Sequence, residues 1–579
     1  MKNLKYSKIL ELNKQLGNAL KSNAYNIAVL SNITIHQIKK ICEYYLRKEG
    51  INANIKMGDY DNIVQDSIKY SKSNLVIIFW ELCNIIDGLQ YKAELFSNGQ
   101  VDAILEKAKR EIDLVLGNLK NTSLVLFNQF TSIPFSGRTI GETNLNQLAD
   151  LLNRYVEDET PANVKLVDLE KVIANIGIKN SLDLRYYYSS KALYTIDFFK
   201  SYSNYIKPYI MSANGKNKKA IIFDCDNTLW RGILGEDGFD NIGMSSKTKD
   251  GAIFSEIQSI ALALHKRGIL IGLCSKNNPG DVNKVIKSHP DMQLRNEHIS
   301  INKSNWSDKV TNLLDIATEL NIGIESLVFV DDSSFEVNLI KQQLPQVTVI
   351  QVPERLYDYP RIFRENLDLF YSLSFTVEDT QKAKMYKQQL QREGVRKKYA
   401  DIEEYLASLE LKIRVYVDNE DIISRMSQMS QKTNQFNLTT RRYTEADIGN
   451  FIFNPASKVF AFSVVDKFGD SGVTGLCIIN VEEKYMQTAD IDTFLMSCRI
   501  IGRNIEYSFM DFLINYLEDI GVRNIRGRFI KTPKNEQVHD FFDRCSFPII
   551  NSDSKIVEYL LEVRNYKPKD LDYIKVRNG

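Results

Sequence analysis

Histidine is scarce in this chain, with five among 579 residues and none between His36 and His265. A serine nucleophile needs an imidazole base within hydrogen-bond reach, and that gap withholds one from most of the first half. The seven cysteines, Cys42, Cys83, Cys225, Cys274, Cys477, Cys498 and Cys545, are odd in number, widely scattered and without a C-x-x-C pair. This disfavours a disulfide framework and a structural zinc site. Long apolar runs are missing too. The longest, Leu75-Val-Ile-Ile-Phe-Trp80, is far short of the roughly 20 residues a membrane span requires. The opening Met-Lys-Asn-Leu-Lys-Tyr-Ser has no apolar core of signal-peptide type, so a cytoplasmic location is expected. Excess charge is absent, since 74 Lys and Arg face 73 Asp and Glu for a formal charge of +1. Bulk electrostatics therefore offers no nucleic-acid or membrane partner. Hydrophobic content of 44% and charged content of 25% are those of a globular protein, and the length suggests three or four domains.

Against those absences stands one dense piece of chemistry. Ala220-Ile-Ile-Phe223 is a short apolar run that reads as a buried parallel strand, followed directly by Asp224-Cys-Asp226. Open α/β sheets bind ligands at the carboxyl ends of their strands, where these two carboxylates would sit. One can serve as nucleophile, the other can pass protons, and together they form an anionic floor suited to Mg²⁺. The plain alternative is a strand-ending turn, for which Asp and Asn are common. Three later segments weigh against it. Gly268 to Asn278 is a second apolar strand ending at Ser275, whose hydroxyl can hold a phosphate oxygen. Asn305-Trp-Ser-Asp-Lys309 offers an ammonium group, and Ser326-Leu-Val-Phe-Val-Asp-Asp332 is a third strand ending in two carboxylates.

Four such segments in this order resemble the motifs of the haloacid dehalogenase superfamily of phosphotransferases. The resemblance implies that Asp224 is the nucleophile, Asp226 the general acid/base, Ser275 the phosphate contact and Lys309 the charge clamp. Lys303 competes for the clamp, but the Asn-Trp-x-x-Lys spacing before a long helix favours Lys309. Mg²⁺ is implied as cofactor, on Asp224, Asp226, Asp331 and Asp332, with Thr228 and Asn277 as further substrate contacts. Carboxylate attack on phosphorus would give an aspartyl-phosphate, with catalysis coming mainly from positioning and neutralised charge.

Longer stretches, Asp224 to Gly238, Asn434-Gln-Phe-Asn-Leu-Thr-Thr-Arg-Arg-Tyr443 and Ser497-Cys-Arg-Ile-Ile-Gly-Arg503, resemble the FkbH family. Arg231 stands where that family more often carries glycine. The resemblance implies an enzyme that takes 1,3-bisphosphoglycerate, removes phosphate, and loads the glyceryl unit onto the phosphopantetheine thiol of an acyl carrier protein in polyketide-type biosynthesis. Its partners would be that carrier and a phosphorylated three-carbon acid. Two rivals are a plain small-molecule phosphatase and a non-enzymatic scaffold for a carrier protein.

The expected architecture is α/β in three domains. Residues 1–212 alternate strands such as Asn26–Leu30 and Ser123–Phe127 with amphipathic helices such as Ile35–Lys48, a βαβ pattern. By resemblance this is a degenerate SGNH-hydrolase fold with Ser31 near the usual nucleophile position. Asp183 to Ser190, where that fold places its base, has no histidine, so hydrolysis is not expected. Residues 213–370 form the phosphotransferase domain, with little room for a cap, and 371–410 a charged helical connector from Val377 to Leu409. Residues 411–579 change to strands Lys412–Val417, Val459–Val465 and Val473–Ile479, then a helix from Arg503 to Leu517. Arg499-Ile-Ile-Gly502-Arg503-Asn504 after a strand resembles the pyrophosphate cradle of GNAT acetyltransferases, which makes Arg499, Gly502 and Arg503 candidate phosphate contacts.

An acyl phosphate could pass to a thiol through a cysteine relay. Cys498, beside Arg499, stands level between that role and a small buried hydrophobe. For Cys225, flanked by carboxylates, the buried hydrophobe leads. The double arginine Arg441-Arg442 suits a phosphate ligand or a solvated loop, and His539 is left out of the catalytic set. The order of dephosphorylation and acyl transfer stays open.

Overall fold

The computed structural model describes residues 4–137, 140–373, 385, 388, 392, 395–396, 398–481, 488–532 and 534–579. Most of the expected helix from Val377 lies outside the described residues; its end is helical at Ile402–Ala407. The chain divides into two compact units, Met1–Asn214 with Tyr443–Asn450, and Gly215–Arg442 with Phe451–Gly579.

The first unit is built on five parallel strands, β1 Tyr25–Ser31, β2 Ala53–Met57, β3 Leu75–Phe79, β4 Val125–Asn128 and β5 Val164–Val167, in the order β2-β1-β3-β4-β5. β3, Leu-Val-Ile-Ile-Phe, is buried at every position, as a strand covered by helices on both faces must be.

The second unit holds two sheets. The first joins β6 Ala220–Phe223, β7 Leu270–Ser275, β8 Ile299–Ser304, β9 Leu327–Asp331 and β10 Thr348–Gln351, all parallel, in the order β10-β9-β6-β7-β8. Strand order reverses around β6, so a crevice opens at the carboxyl ends of β6, β7 and β9. Gly272 lets the strands close there. A β-carbon at that position would lie 2.6 Å from Ile222 Cδ1 and 2.9 Å from Ile301 Cγ2. Between β6 and β7 the chain adds one short turn of helix, Leu234–Asp237, before the helix Lys249–Lys266, so no cap domain is inserted there.

The last sheet is largely antiparallel. It contains β11 Leu411–Val417, β12 Phe436–Asn437, β13 Ser457–Asp466, β14 Gly469–Val481, β15 Thr488–Met496, β16 Asn524–Ile530, β17 Ile549–Ser552, β18 Ile556–Glu562 and β19 Ile574–Asn578. β15 and β16 run parallel but pair only over Thr488–Asp490. Beyond that they part, and β12 takes the vacated edge: Phe436 and Asn437 pair with Met496 and Leu495, while Leu438 bonds Phe494 O and Ile530 N. The helix Ile505–Asp519 packs its buried Phe509, Leu513 and Leu517 into this core. Among the described residues no helix is long and apolar enough to cross a membrane.

Candidate active site

Asp224 follows β6, and its backbone N–H continues the ladder to Val330 O at 2.9 Å. The loop after it turns on Asn227, whose φ is +50° and whose Oδ1 accepts from Gly232 N at 2.9 Å. That turn brings Trp230 back, so that its indole N–H donates to Asp226 Oδ1 at 2.9 Å. Leu234 N donates to the same oxygen at 3.0 Å, and Asn277 Nδ2 to Asp226 Oδ2 at 2.8 Å. Three donors therefore fix the Asp226 carboxylate in place.

Lys309 opens the helix Lys309–Glu319, which Asp308 caps by accepting from Thr311 N at 2.8 Å. A helix N-terminus repels a cation. Lys309 is held instead by carboxylates, 2.9 Å from Asp224 Oδ1 and 2.6 Å from Asp331 Oδ2, and is almost wholly buried. Asp331 ends β9, and its Oδ1 accepts from Ser333 N at 2.8 Å. Oxygens of Asp224, Asp331 and Asp332 lie within 4.8 Å of one another, a set of hard donors that suits a divalent cation. Burial lifts the Asp224 carboxyl to about 6, against the pull of Lys309, with Asp331 adding to the rise. Asp331 and Asp332 are raised by burial as well. Burial pulls Lys309 down, but Asp224 and Asp331 together raise it above the usual lysine value.

Of the residues expected here, Asp224, Ser275, Asn277, Lys309, Asp331 and Asp332 gather at the crevice. Asn277 Nδ2 donates to Ser275 Oγ at 3.0 Å, and Ser275 helps favour the ionised form of Asp224. Lys303 turns away to Glu319 at 2.6 Å, which leaves the clamp position to Lys309. One expectation needs correction. The Asp226 side chain is not among the clustered metal oxygens, because Trp230, Leu234 and Asn277 occupy it. Thr228 is fully buried, like Ser275 and Asp331; its hydroxyl has no hydrogen-bond partner among the described residues, and its carbonyl accepts from Tyr359 OH at 3.3 Å. Arg231 pairs with Asp250 at 2.9 Å on the surface.

Sequence reasoning missed Trp230 as the residue that positions Asp226, although the four-residue spacing was readable. It also missed the rim. Trp306, three residues before Lys309, and Phe335, three after Asp332, are 75% and 69% exposed. Large apolar side chains of that exposure flanking a polar site were signalled by the Asn-Trp-x-x-Lys segment itself. The cap on Lys309 carries a prediction. Asp308→Ala should lower stability by about 1 kcal/mol and loosen the first helical turn, so that kcat falls while KM changes little. Urea titration and steady-state kinetics of the variant check both.

The GNAT-like turn departs further from expectation. Arg503 is committed inside the fold: it lies 3.1 Å from Asp466, which also binds Arg392 at 2.7 and 2.8 Å, and it donates to Arg499 O at 2.6 Å. Arg503 is thus a structural ion-pair residue. Gly502 has φ +80° and Asn504 +59°, which forms the turn into the helix. The gap between β15 and β16 is filled by β12. Arg441 pairs with Asp492, and Arg442 is half-buried on Ser430 O, Thr433 O and Asn434 Oδ1, so both guanidinium groups have partners within the protein. Burial pulls the Arg442 guanidinium down to about 10. Cys498 is half-buried and lines a cavity, whereas Cys225 is fully buried and its thiol is pushed well up by burial. His539 is exposed beside Asp540.

In the first unit Ser31 ends β1. Its hydroxyl donates to Ile33 O at 2.8 Å and accepts from Ile33 N at 3.1 Å, and no histidine bonds to it among the described residues. The neighbouring Asn32 clasps the backbone of Glu81, whose buried carboxylate accepts from Tyr194 OH at 2.7 Å. Burial lifts the Glu81 carboxyl from 4.5 to about 7 in spite of that bond. The folded chain thus holds a proton that the unfolded chain releases near 4.5. Stability from this group is fully present below that value and declines as pH climbs through 7, by an amount on the order of a few kcal/mol. Glu81→Gln should flatten the decline in melting temperature across that window; an unchanged slope would assign it to other groups.

Comparison with known proteins bears out the α/β fold. The N-terminal part of BF1531 from Bacteroides fragilis, a structure containing a phosphatase domain complexed with Mg, is similar at 24% identity and a TM-score of 0.56. It covers 64% of this chain and 100% of that one. The spermidine/spermine N-acetyltransferase SpeG of Vibrio cholerae is similar at 11% identity and a TM-score of 0.21, over 27% of this chain and 96% of that one. An acetyltransferase of Thermus thermophilus is similar at 14% and 0.22, over 27% and 99%. No family model and no curated protein matches the chain.

Proposed function

We propose that the crevice at β6, β7 and β9 performs phosphoryl chemistry on a phosphorylated three-carbon acid, and that the acyl part is delivered to the thiol of an acyl carrier protein. The observation that carries the first half is the Asp224–Lys309–Asp331 contact beside Asp332, with ligand oxygens within 4.8 Å. Asp224 attacks the phosphorus of the C3 phosphate ester and holds the phosphoryl group as an aspartyl-phosphate while the C3 oxygen leaves as the alcohol. In a separate step the carrier thiol attacks the carbonyl carbon of the acyl phosphate, forming the thioester and expelling inorganic phosphate. Asp226, fixed by Trp230 and Asn277, faces the same crevice to pass a proton to the leaving oxygen and take one from water. Lys309 and Ser275 hold phosphate oxygens, and the buried walls limit competing water. Mg²⁺, on Asp224, Asp331 and Asp332, would neutralise charge on the phosphoryl oxygens when bound. A Mg-bound phosphatase domain in the BF1531 fragment is in keeping with this reading.

The second half draws support from the rim. With no cap inserted between β6 and β7, and with Trp306 and Phe335 exposed, the site suits a bulky partner better than a free metabolite alone. The relay through Cys498 acquires a geometric condition. Cys498 lines a cavity with Lys219, which precedes β6, whereas Asp224 follows it. The span of that strand is roughly 16 Å. Acyl transfer between the two would therefore need a long swinging arm, which a phosphopantetheine thiol on a carrier protein provides.

Intact-protein mass spectrometry tests the proposal. The enzyme and a phosphopantetheinylated carrier are incubated with 1,3-bisphosphoglycerate and Mg²⁺, beside an Asp224→Asn control. Glyceryl mass on the carrier, lost in the control, is the expected result. Phosphate release with an unmodified carrier would leave a phosphatase, and carrier binding without turnover a scaffold.

A further inference from the structure

The second unit has another polar cavity, at the amino end of the central sheet, away from the carboxylates. Its volume is about 280 Å³, near the lower end of the roughly 300–1,000 Å³ typical of small-molecule sites. Lys219 and Glu325 belong to one wall, next to β6 and β9, while Lys432, Cys498 and Arg499 belong to the other. Its lining is strongly cationic. Lys219, Arg425, Lys432, Arg499 and Lys534 contribute to it against one carboxylate, Glu325, which Lys534 engages at 2.5 Å. Lys219 Nζ donates to Lys432 O at 3.0 Å, and the Arg425 guanidinium is held by Val473 O and Gln428 Oε1.

Arg499 is the telling residue. It is 7% exposed, its Nε donates to Ser497 Oγ at 3.2 Å, and its Nη1 lies 2.6 Å from Met385 Sδ. Among the described residues no carboxylate comes within ion-pair distance of it. A buried guanidinium without a counter-charge is unfavourable, and an anion entering the cavity would restore the balance. Gln435 Oε1, on the same lining, is buried and has no hydrogen-bond partner among the described residues; as an acceptor it suits a hydroxyl or amide N–H on the organic arm, not the anion itself.

We propose that this cavity is an anion site for a phosphate ester, distinct from the carboxylate site, with Cys498 in its wall. A phosphate ester matches the lining better than a carboxylate would, because its three or more acceptor oxygens can take the planar Arg499 guanidinium together with the positive field of the lysines around it. The cavity also leaves room for a short organic arm. The ester could belong to a pantetheine-type arm or to a phosphorylated three-carbon acid, and the chemistry of recognition is the same. This inference stands whether or not an acyl group moves at Asp224.

The test uses full-length Asp224→Asn protein and follows alkylation of Cys498 by iodoacetamide with peptide mass spectrometry. The additions are 4′-phosphopantothenate, 3-phosphoglycerate and their phosphate-free parents, pantothenate and glycerate. One phosphate ester is expected to slow alkylation at concentrations where its parent does nothing, and the one that does so identifies the source. Lys432→Gln should weaken that protection about tenfold, a change that does not depend on replacing the buried Arg499. Equal protection by ester and parent, no protection by either ester, or protection unchanged in Lys432→Gln would each overturn the proposal.

Discussion

Asp224→Asn is expected to abolish phosphate release, by a factor on the order of 10⁴ or more, without unfolding the protein. The amide keeps the shape of the side chain and an oxygen to accept from Lys309, so packing around β6 survives. What it loses is the carboxylate proposed as nucleophile. Burial already lifts the Asp224 carboxyl to about 6, which means the folded state disfavours its charge. Removing that charge should leave melting temperature in metal-free buffer unchanged or slightly higher, and should remove part of the decline in stability as pH rises from the ordinary aspartate value through 6. Activity and melting curves measured on one preparation separate the two effects. Substantial residual turnover would shift the nucleophile to another group, and a collapse of stability would make Asp224 a structural residue first.

Much of this site was legible because its chemistry is local to strand ends. Ala220–Phe223 is apolar throughout and followed at once by carboxylates, so both the strand and its functional edge could be read together. The same holds for Ser275 and for Asp331 with Asp332. Lys309 was harder, since it comes from a helix start and not a strand; its spacing from Trp306 singled it out, and the choice over Lys303 follows from where each side chain finds a counter-charge. Asp226 shows the limit. It sits among motif residues, yet the turn on Asn227 brings Trp230 back onto its carboxylate, and no spacing rule reports which way a tight loop turns its side chains.

The C-terminal region was legible as strands and a helix but not as a site. Alternation marks β11, a half-buried strand, whereas β13 and β14 are legible as nearly continuous apolar runs buried on both faces. Arg503 looked like a phosphate ligand because a small segment matched a short motif. Its actual partner, Asp466, lies far away in sequence, and long-range ion pairs leave no local trace. β12 was invisible for the same reason: Phe436–Asn437 is too short for periodicity, and only the divergence of β15 from β16 creates the edge it fills. The cationic cavity also draws on distant stretches of chain, which explains why Cys498 and Arg499 were noticed but Lys219 and Lys432 were not.

Lys309→Met should produce the largest loss of stability of any single change in this site. The ammonium group lies between Asp224 and Asp331, whose side chains are 7% and 0% exposed, and Asp332 adds a third carboxylate within 4.8 Å. Methionine keeps the length of the side chain and its packing near Phe329, but it leaves carboxylates buried together with no cation. Breaking a buried ion pair in this way costs on the order of 3–5 kcal/mol. The deficit should depend on charge in two ways. First, without Lys309 the carboxyls rise further, the folded state takes up protons, and the deficit shrinks as pH falls from about 8 to about 5. Second, Mg²⁺ should restore part of the loss, because a divalent cation on those oxygens replaces the missing positive charge and binds only the folded chain. Melting temperatures of wild type and variant, in chelator and in Mg²⁺ at both pH values, give the four comparisons needed. A deficit that is the same in all four would mean that Lys309 acts through packing, and the carboxylate cluster would lose its standing as a cation site.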